Sequence, residues 1–337
     1  MDALFQLSIF AAKLLILTAF FLILLIGIIS VLTRGKEKLH GRISIKNLNK
    51  KYRETKERLS AEILSKNQFK KFNKEQKKAD KAKEKMADSE PRKNIFILNF
   101  DGDIKASAVS ALREEVTAIL GVATPHDEVV VKLESGGGMV HAYGLAASQL
   151  MRIRQQHIPL TIIVDKIAAS GGYMMACTAN KILAAPFSII GSIGVIVQLP
   201  NFHRLLKDKN IDFEQITAGQ FKRTLTLFGE NTKKGREKMH EEVEDIHRLF
   251  KDLIKEYRQE IDIQKVATGE HWLGSQALEL KLVDELRTSD DYLLAQSQQA
   301  ELYEVCYHLK KSLTEKLSAS ARLLVGNRRS LEETYIM

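Results

Sequence analysis

At 337 residues with a formal charge of +9, the chain is long enough for one large domain with appendages. Its two cysteines, Cys177 and Cys306, stand in unlike contexts and form neither a disulfide framework nor a metal site. Zinc, haem, EF-hand and P-loop spacings are all missing, so no metal and no organic cofactor is expected, and the chemistry falls to ordinary side chains.

Residues Leu14 to Leu32 carry no charge, and at 1.5 Å per helical residue they approach the roughly 20 residues of a bilayer crossing. A cleaved signal peptide would have a shorter apolar core followed by a small-x-small cleavage site, and Ser30-Val31-Leu32-Thr33-Arg34 supplies a poor one. Residues 1–33 are therefore expected to be a transmembrane anchor. Composition then shifts abruptly. Between Arg34 and Lys93 there are 21 basic and nine acidic residues, a net +12 that leaves −3 for the rest. This stretch, 34–93, reads as a basic linker, helical or disordered. It has no aromatic stacking platform for nucleic acid interleaved with the charge, and beside a span it suits anionic lipid headgroups. Its charge argues for a cytoplasmic C-terminal side.

After Pro91, strand and helix patterns alternate. Ile95–Asn99 and Glu128–Leu133 read as strands, with helical spacing of Val109, Leu112, Val116, Ile119 and Leu120 between them. Ser135-Gly136-Gly137-Gly138 follows the second strand, and an apolar helix runs near Leu145–Ile153. Pro159 precedes a third strand, Leu160–Val164. This rhythm predicts an α/β fold with a mostly parallel sheet and a site at the strands' C-terminal ends. Ile182–Leu199 reads as buried strands, Phe213–Thr217 as a strand, and Asn231–Glu260 as a long charged helix. That helix carries a stripe of Val243, Ile246, Leu249, Phe250 and Leu253.

The third strand leads into Ala168-Ala169-Ser170-Gly171-Gly172, a serine among small residues on a strand-to-helix turn. Such a turn presents the hydroxyl beside unpaired N–H groups of the helix start, although serine caps helices routinely. Three glycines after a buried strand let backbone N–H groups face a developing anion. Together the two turns make acyl transfer the leading reaction class. The base is open between two residue types. His141 lies nearest the glycine turn. Lys222 ends Thr217-Ala218-Gly219-Gln220-Phe221-Lys222, and a lysine serves as base only where desolvation pulls it down from about 10.4.

These residues resemble the signal peptide peptidase A (SppA) family of serine peptidases, most closely its SohB branch. The family's V-D-x-x-A-A-S-G-G-Y pattern is similar to Val164 through Tyr173, and its G-S-I-G-V block stands as Gly191 through Val195. Its A-G-x-[YF]-K pattern matches Ala218 through Lys222, 52 residues after Ser170. Its S-P-G-G turn matches at Ser135, Gly137 and Gly138, with Gly136 where proline is usual. The resemblance runs from about Ile95 to Leu286. It implies a ClpP/crotonase-like fold of stacked β-β-α units over 94–287, followed by a C-terminal extension, 288–337. It implies Ser170 as nucleophile, Lys222 as general base and acid, and an oxyanion hole from Gly171 with Gly137 and Gly138. It implies peptide or protein substrates, such as membrane-derived or misfolded polypeptides, a homo-oligomeric ring, and no nucleic acid. It also implies a single-pass protein of the bacterial inner membrane with a periplasmic domain, against the charge rule above. Two other readings use the same features: a crotonase-type acyl-CoA enzyme, which needs a carboxylate at the chemistry, and a non-catalytic membrane scaffold.

Overall fold

The computed structural model describes residues 2–33, 41–87 and 92–308. It divides into two units, Met1–Arg42 with His308–Met337, and Ile43–Tyr307. In the first, α1 is one uninterrupted helix, Asp2–Thr33. Its side chains from Lys13 to Gly27 are all exposed, and apart from Lys13, Thr18 and Gly27 they are apolar. Among the described residues no helix is long and apolar enough to cross a membrane.

The second unit begins with β1 (Arg42–Asn47), α2 (Leu48–Ile63) and α3 (Lys66–Ala87). Then come β2 (Asn94–Gly102), α4 (Val109–Leu120), β3 (Glu128–Ser135), α5 (Val140–Gln155) and β4 (Leu160–Val164). A short strand β5 (Ile167–Ala169) leads into α6 (Gly171–Ala176), followed by β6 (Lys181–Ala184), β7 (Ile189–Gly191) and α7 (His203–Asp208). The chain closes through α8 (Lys233–Tyr257), α9 (Ile263–Val266), β8 (His271–Leu273), α10 (Gly274–Glu279), β9 (Glu285–Leu286), α11 (Ser289–Gln296) and β10 (Glu301–His308).

The main sheet runs β1-β10-β2-β3-β4-β6-β9. From β10 to β9 every pairing is parallel. Off this path β5 pairs in parallel with the end of β3 and with β7, which pairs antiparallel with β8. Central strands of such a sheet are covered on both faces, and their sequences show it. Along β2, Leu98 and Phe100 join the core under α4 and α5, while Ile95 and Ile97 face a second cluster with Leu48, Tyr292, Leu293 and Leu302. Each fully buried Val, Leu or Ile contributes about 1.5–3 kcal/mol of transfer free energy, so both layers matter to stability.

Three findings add to or correct the expectations. First, the basic stretch is helical over α2 and α3 and also makes tertiary contacts. It supplies β1 to the sheet, and Leu48 is buried at the start of α2. Beside it the Asn49 amide donates to the carbonyls of Ser297 and Ala300, both at 2.9 Å, and its Oδ1 accepts the Leu302 N–H at 2.7 Å. Leu48, the partly buried Ile43 and Tyr52, and one bridging amide carry this docking, which an apolar-residue count does not register. Second, Phe213–Thr217 is irregular and exposed, and the strands of the Ile182–Leu199 stretch end at Gly191. Third, Leu249 on α8 is 63% exposed, while Phe250 and Ile254 carry the buried side.

Candidate active site

Ser170 stands where three parallel strands end. Ala168 on β5 is in register with Ser135, the last residue of β3, and Ala169 with Gly191, the last of β7. The chain must reverse from strand to helix within one residue, and Ser170 does so at φ 52°, ψ −119°. Non-glycine residues reach that region only at a cost of order 1–3 kcal/mol, sustained by surrounding structure. Here the support is visible. The Ser170 N–H donates to the Gly191 carbonyl at 2.8 Å, and the Ser170 carbonyl accepts the Met174 N–H at 2.9 Å. Small neighbours are needed because Ala168, Ala169 and Gly171 are all buried. No described residue hydrogen-bonds the Ser170 hydroxyl.

The glycine turn is pressed against this serine. Gly137 adopts φ +90°, and a Cβ there would lie 2.7 Å from both Gly171 N and Ser170 Cβ. Gly138 sits against the backbone of Ile104, whose carbonyl accepts the Met139 N–H at 2.8 Å. Of the expected anion donors, the Gly137 N–H is already engaged, donating to Ser135 Oγ at 3.0 Å. Among the described residues no acceptor takes the N–H of Gly138 or of Gly171 at the first turn of α6.

A cavity of about 70 Å³ opens beside Ser170, walled by Val140, Met174, Ile196, Ile246 and Phe250. Its walls are apolar, and the long helix α8 supplies two of them. On the other side, Gly191 packs under the Trp272 ring, where a Cβ would come within 2.8 Å, and Ser192 donates its N–H to the Glu270 carbonyl at 2.6 Å. The Gly-Ser-Ile-Gly-Val block thus forms the floor that receives the Ser170 N–H.

The two base candidates are treated differently. His141 is exposed near the start of α5, and Lys222 lies in an exposed irregular segment, its N–H donating to Gly219 at 3.1 Å. Neither lines the cavity beside Ser170. Ser170, Gly171, Gly137 and Gly138 are therefore brought together, and Lys222 is not joined to them within this chain. The apolar side chains of its segment are exposed, Ile216 almost fully and Ile211 by half, while Phe213 packs on Phe228 and Phe221 lies under the Lys234 and Lys238 ammoniums. Asp165, the carboxylate nearest the serine turn in sequence, accepts the N–H and hydroxyl of Ser289 at 2.8 and 2.5 Å. It ties the turn after β4 to α11. Its carboxylate is turned to Ser289 and does not line the cavity beside Ser170.

Sequence reasoning passed over the polar group beneath the turns. Ser135 and Tyr143 are both buried, with their hydroxyl oxygens 2.5 Å apart. Burial holds the Tyr143 phenol above its ordinary value, so it remains a neutral O–H donor. An aromatic at helical spacing reads as core, and the only hint was a serine kept at the end of an apolar strand.

Comparison with known proteins matches residues 2–150 to the profile described as peptidase family S49 N-terminal, and residues 152–303 to peptidase family S49. A probable protease SohB of Haemophilus influenzae is 48% identical over 318 residues, covering 91% of this chain and 90% of its own. Another, from Buchnera aphidicola subsp. Acyrthosiphon pisum, is 56% identical over 229 residues, 68% of each chain. Among solved structures, a membrane-bound stomatin-specific protease variant in complex with a substrate peptide matches at a TM-score of 0.43. That match has 16% identity and covers 68% of this chain and 98% of the other.

Proposed function

Because the chain belongs to peptidase family S49, in its SohB branch, we propose that it is a membrane-anchored serine endopeptidase working through Ser170 and Lys222. The observation that carries this reading is the Ser170 turn. A hydroxyl without a hydrogen-bond partner among the described residues stands on a strained strand-to-helix corner, with Gly137 backbone against it and the N–H groups of Gly171 and Gly138 beside it. Lys222 takes the proton from Ser170 Oγ as the oxygen attacks a peptide carbonyl. The two N–H donors hold the oxyanion, Lys222 returns the proton to the leaving amine, and water releases the acyl group. The apolar cavity beside Ser170 suits a small or mid-sized apolar side chain next to the scissile bond. Such side chains abound in membrane-derived and unfolded polypeptides.

The uncharged run Leu14–Leu32 within α1 is the proposed single-pass anchor in the bacterial inner membrane, with the basic stretch after it facing anionic headgroups. The small β5-β7-β8 layer set off the main sheet is what a ClpP/crotonase-like stack of β-β-α units requires. Assembly into a homo-oligomeric ring would cover the apolar segment that carries Lys222 and give the ammonium the dry setting a lysine base needs. A fluorophosphonate probe on the full-length chain tests the reading. We expect labelling of Ser170, none in Ser170→Ala, and slow labelling in Lys222→Ala. Unreactive wild-type protein, or labelling that ignores Lys222, would sink it.

A further inference from the structure

We propose that Ser135 and Tyr143 are positioning residues that hold the two oxyanion donors at a fixed separation through one directional hydrogen-bond relay. This rests on the peptidase reading above and says which residues make its anion site rigid. The direction follows from proton accounting. The Gly137 N–H donates to Ser135 Oγ at 3.0 Å. The single Tyr143 hydroxyl proton goes to the Asp103 carbonyl at 2.7 Å. The short 2.5 Å contact between the two hydroxyl oxygens must then be made by the serine proton, with the Gly102 carbonyl a longer alternative at 3.3 Å. The chain runs Gly137 N–H to Ser135 to Tyr143 to Asp103, each hydroxyl accepting once and donating once, and both side chains are buried.

Two consequences reach the anion site. Holding the Gly137 N–H, with Gly137 at φ +90° and pressed against Ala169, Ser170 and Gly171, restrains the peptide that follows, and its N–H belongs to Gly138. At the same time the Tyr143 ring lies directly against Gly171, so that a Cβ there would overlap the ring. One aromatic side chain therefore abuts the carrier of one donor and anchors the turn carrying the other. Its own place is set by an edge-on contact with Phe100, ring centroids 6.4 Å apart, and by the Asp103 carbonyl. Gly136 stands where the related turn pattern has a proline, so backbone stiffness in this turn has to come from elsewhere. Buried satisfied polar networks supply that kind of rigidity, and donors that need no rearrangement favour the transition state over the bound substrate.

The test uses the full-length chain in detergent, with Tyr143→Phe, Ser135→Ala and the double variant. Tyr143→Phe keeps the ring against Gly171 and removes only the relay. Peptide turnover is followed together with inhibition by a peptide boronate, whose adduct places an anionic oxygen on the same donors. We expect kcat to fall roughly 10- to 100-fold with KM within about twofold, and boronate affinity to weaken in proportion. The double variant should lose little more than either single one, because the relay acts as a unit. Folded Tyr143→Phe with unchanged kcat, losses that multiply, or a loss confined to KM would overturn the relay while leaving the peptidase reading standing. Wild-type protein unreactive to both boronate and fluorophosphonate would remove both. Should Tyr143→Phe fail to fold, hydrogen exchange across 135–139 in Ser135→Ala decides. Faster exchange at the Gly137 amide supports the relay, and unchanged exchange refutes it.

Discussion

At the scale of single residues, the site depends on groups too small to show in any hydrophobic pattern. Gly137 has no room for a methyl group and uses a backbone region closed to L-side chains at about 1–2 kcal/mol. Gly137→Ala should therefore fold with reduced stability and lose at least about 100-fold in peptide turnover, as one displaced anion donor does. A variant cleaving peptide at the wild-type rate would show that the close approach is incidental. Lys222→Arg should be as inactive as Lys222→Ala, because a guanidinium stays protonated and cannot accept the Ser170 proton. His141→Ala, an exposed change outside the cavity, should retain activity. The reverse result would move the base to histidine. Much of this was readable in the chain itself. Strand, small residues, serine and glycines in that order already bring Ser170 and the 136–138 turn to one sheet edge. What the order of residues could not convey is which N–H is already engaged, since the Gly137 bond to Ser135 Oγ is a contact of the folded turn beside Tyr143.

Among the elements, the central parallel strands were the most legible part, because β2, β3 and β4 are buried on both faces and show continuous apolar runs. Legibility falls at the sheet's margins. β1 is held through a few residues such as Ile43 and Leu48 in a strongly basic stretch, and β7 to β9 are two or three residues long, below the reach of any period-two pattern. Such margins are held by polar fixtures, and Asp127 before β3 offers a measurable one. Its carboxylate accepts the N–H and hydroxyl of Thr124 at 2.8 and 2.9 Å, and the N–H and amide of Asn94 at 2.9 and 3.0 Å. Burial alone would raise its pKa, but those bonds from Thr124 and Asn94 outweigh it and hold the carboxyl below its ordinary value. A depressed carboxylate contributes stability that is present above the unfolded value, near 3.9, and is lost as pH falls through the folded value. Asp127→Ala should thus cost about 1–3 kcal/mol at neutral pH, and its gap from wild type should narrow in thermal melts below about pH 4. A gap constant down to pH 2 would assign the loss to packing alone.

For the whole molecule, the exposed apolar segment ahead of α8 sets the expectation. Ile216 is 97% exposed and Ile211 53%, an arrangement that isolated side chains tolerate but that a run of such residues rarely shows without a partner. Ile216→Glu should lower the assembled mass in light scattering and depress peptide turnover with it, while the melting of the single subunit changes little. Wild-type chain running as a monomer at micromolar concentration would refute the ring. The chain also contains a single tryptophan, and it lies over Gly191, whose carbonyl receives the Ser170 N–H. All indole emission of the molecule therefore originates one hydrogen bond away from the proposed nucleophile. Formation and decay of an acyl-enzyme can be watched in the unmodified protein by stopped-flow fluorescence, with Trp272 as a built-in optical gauge of the turn's displacement.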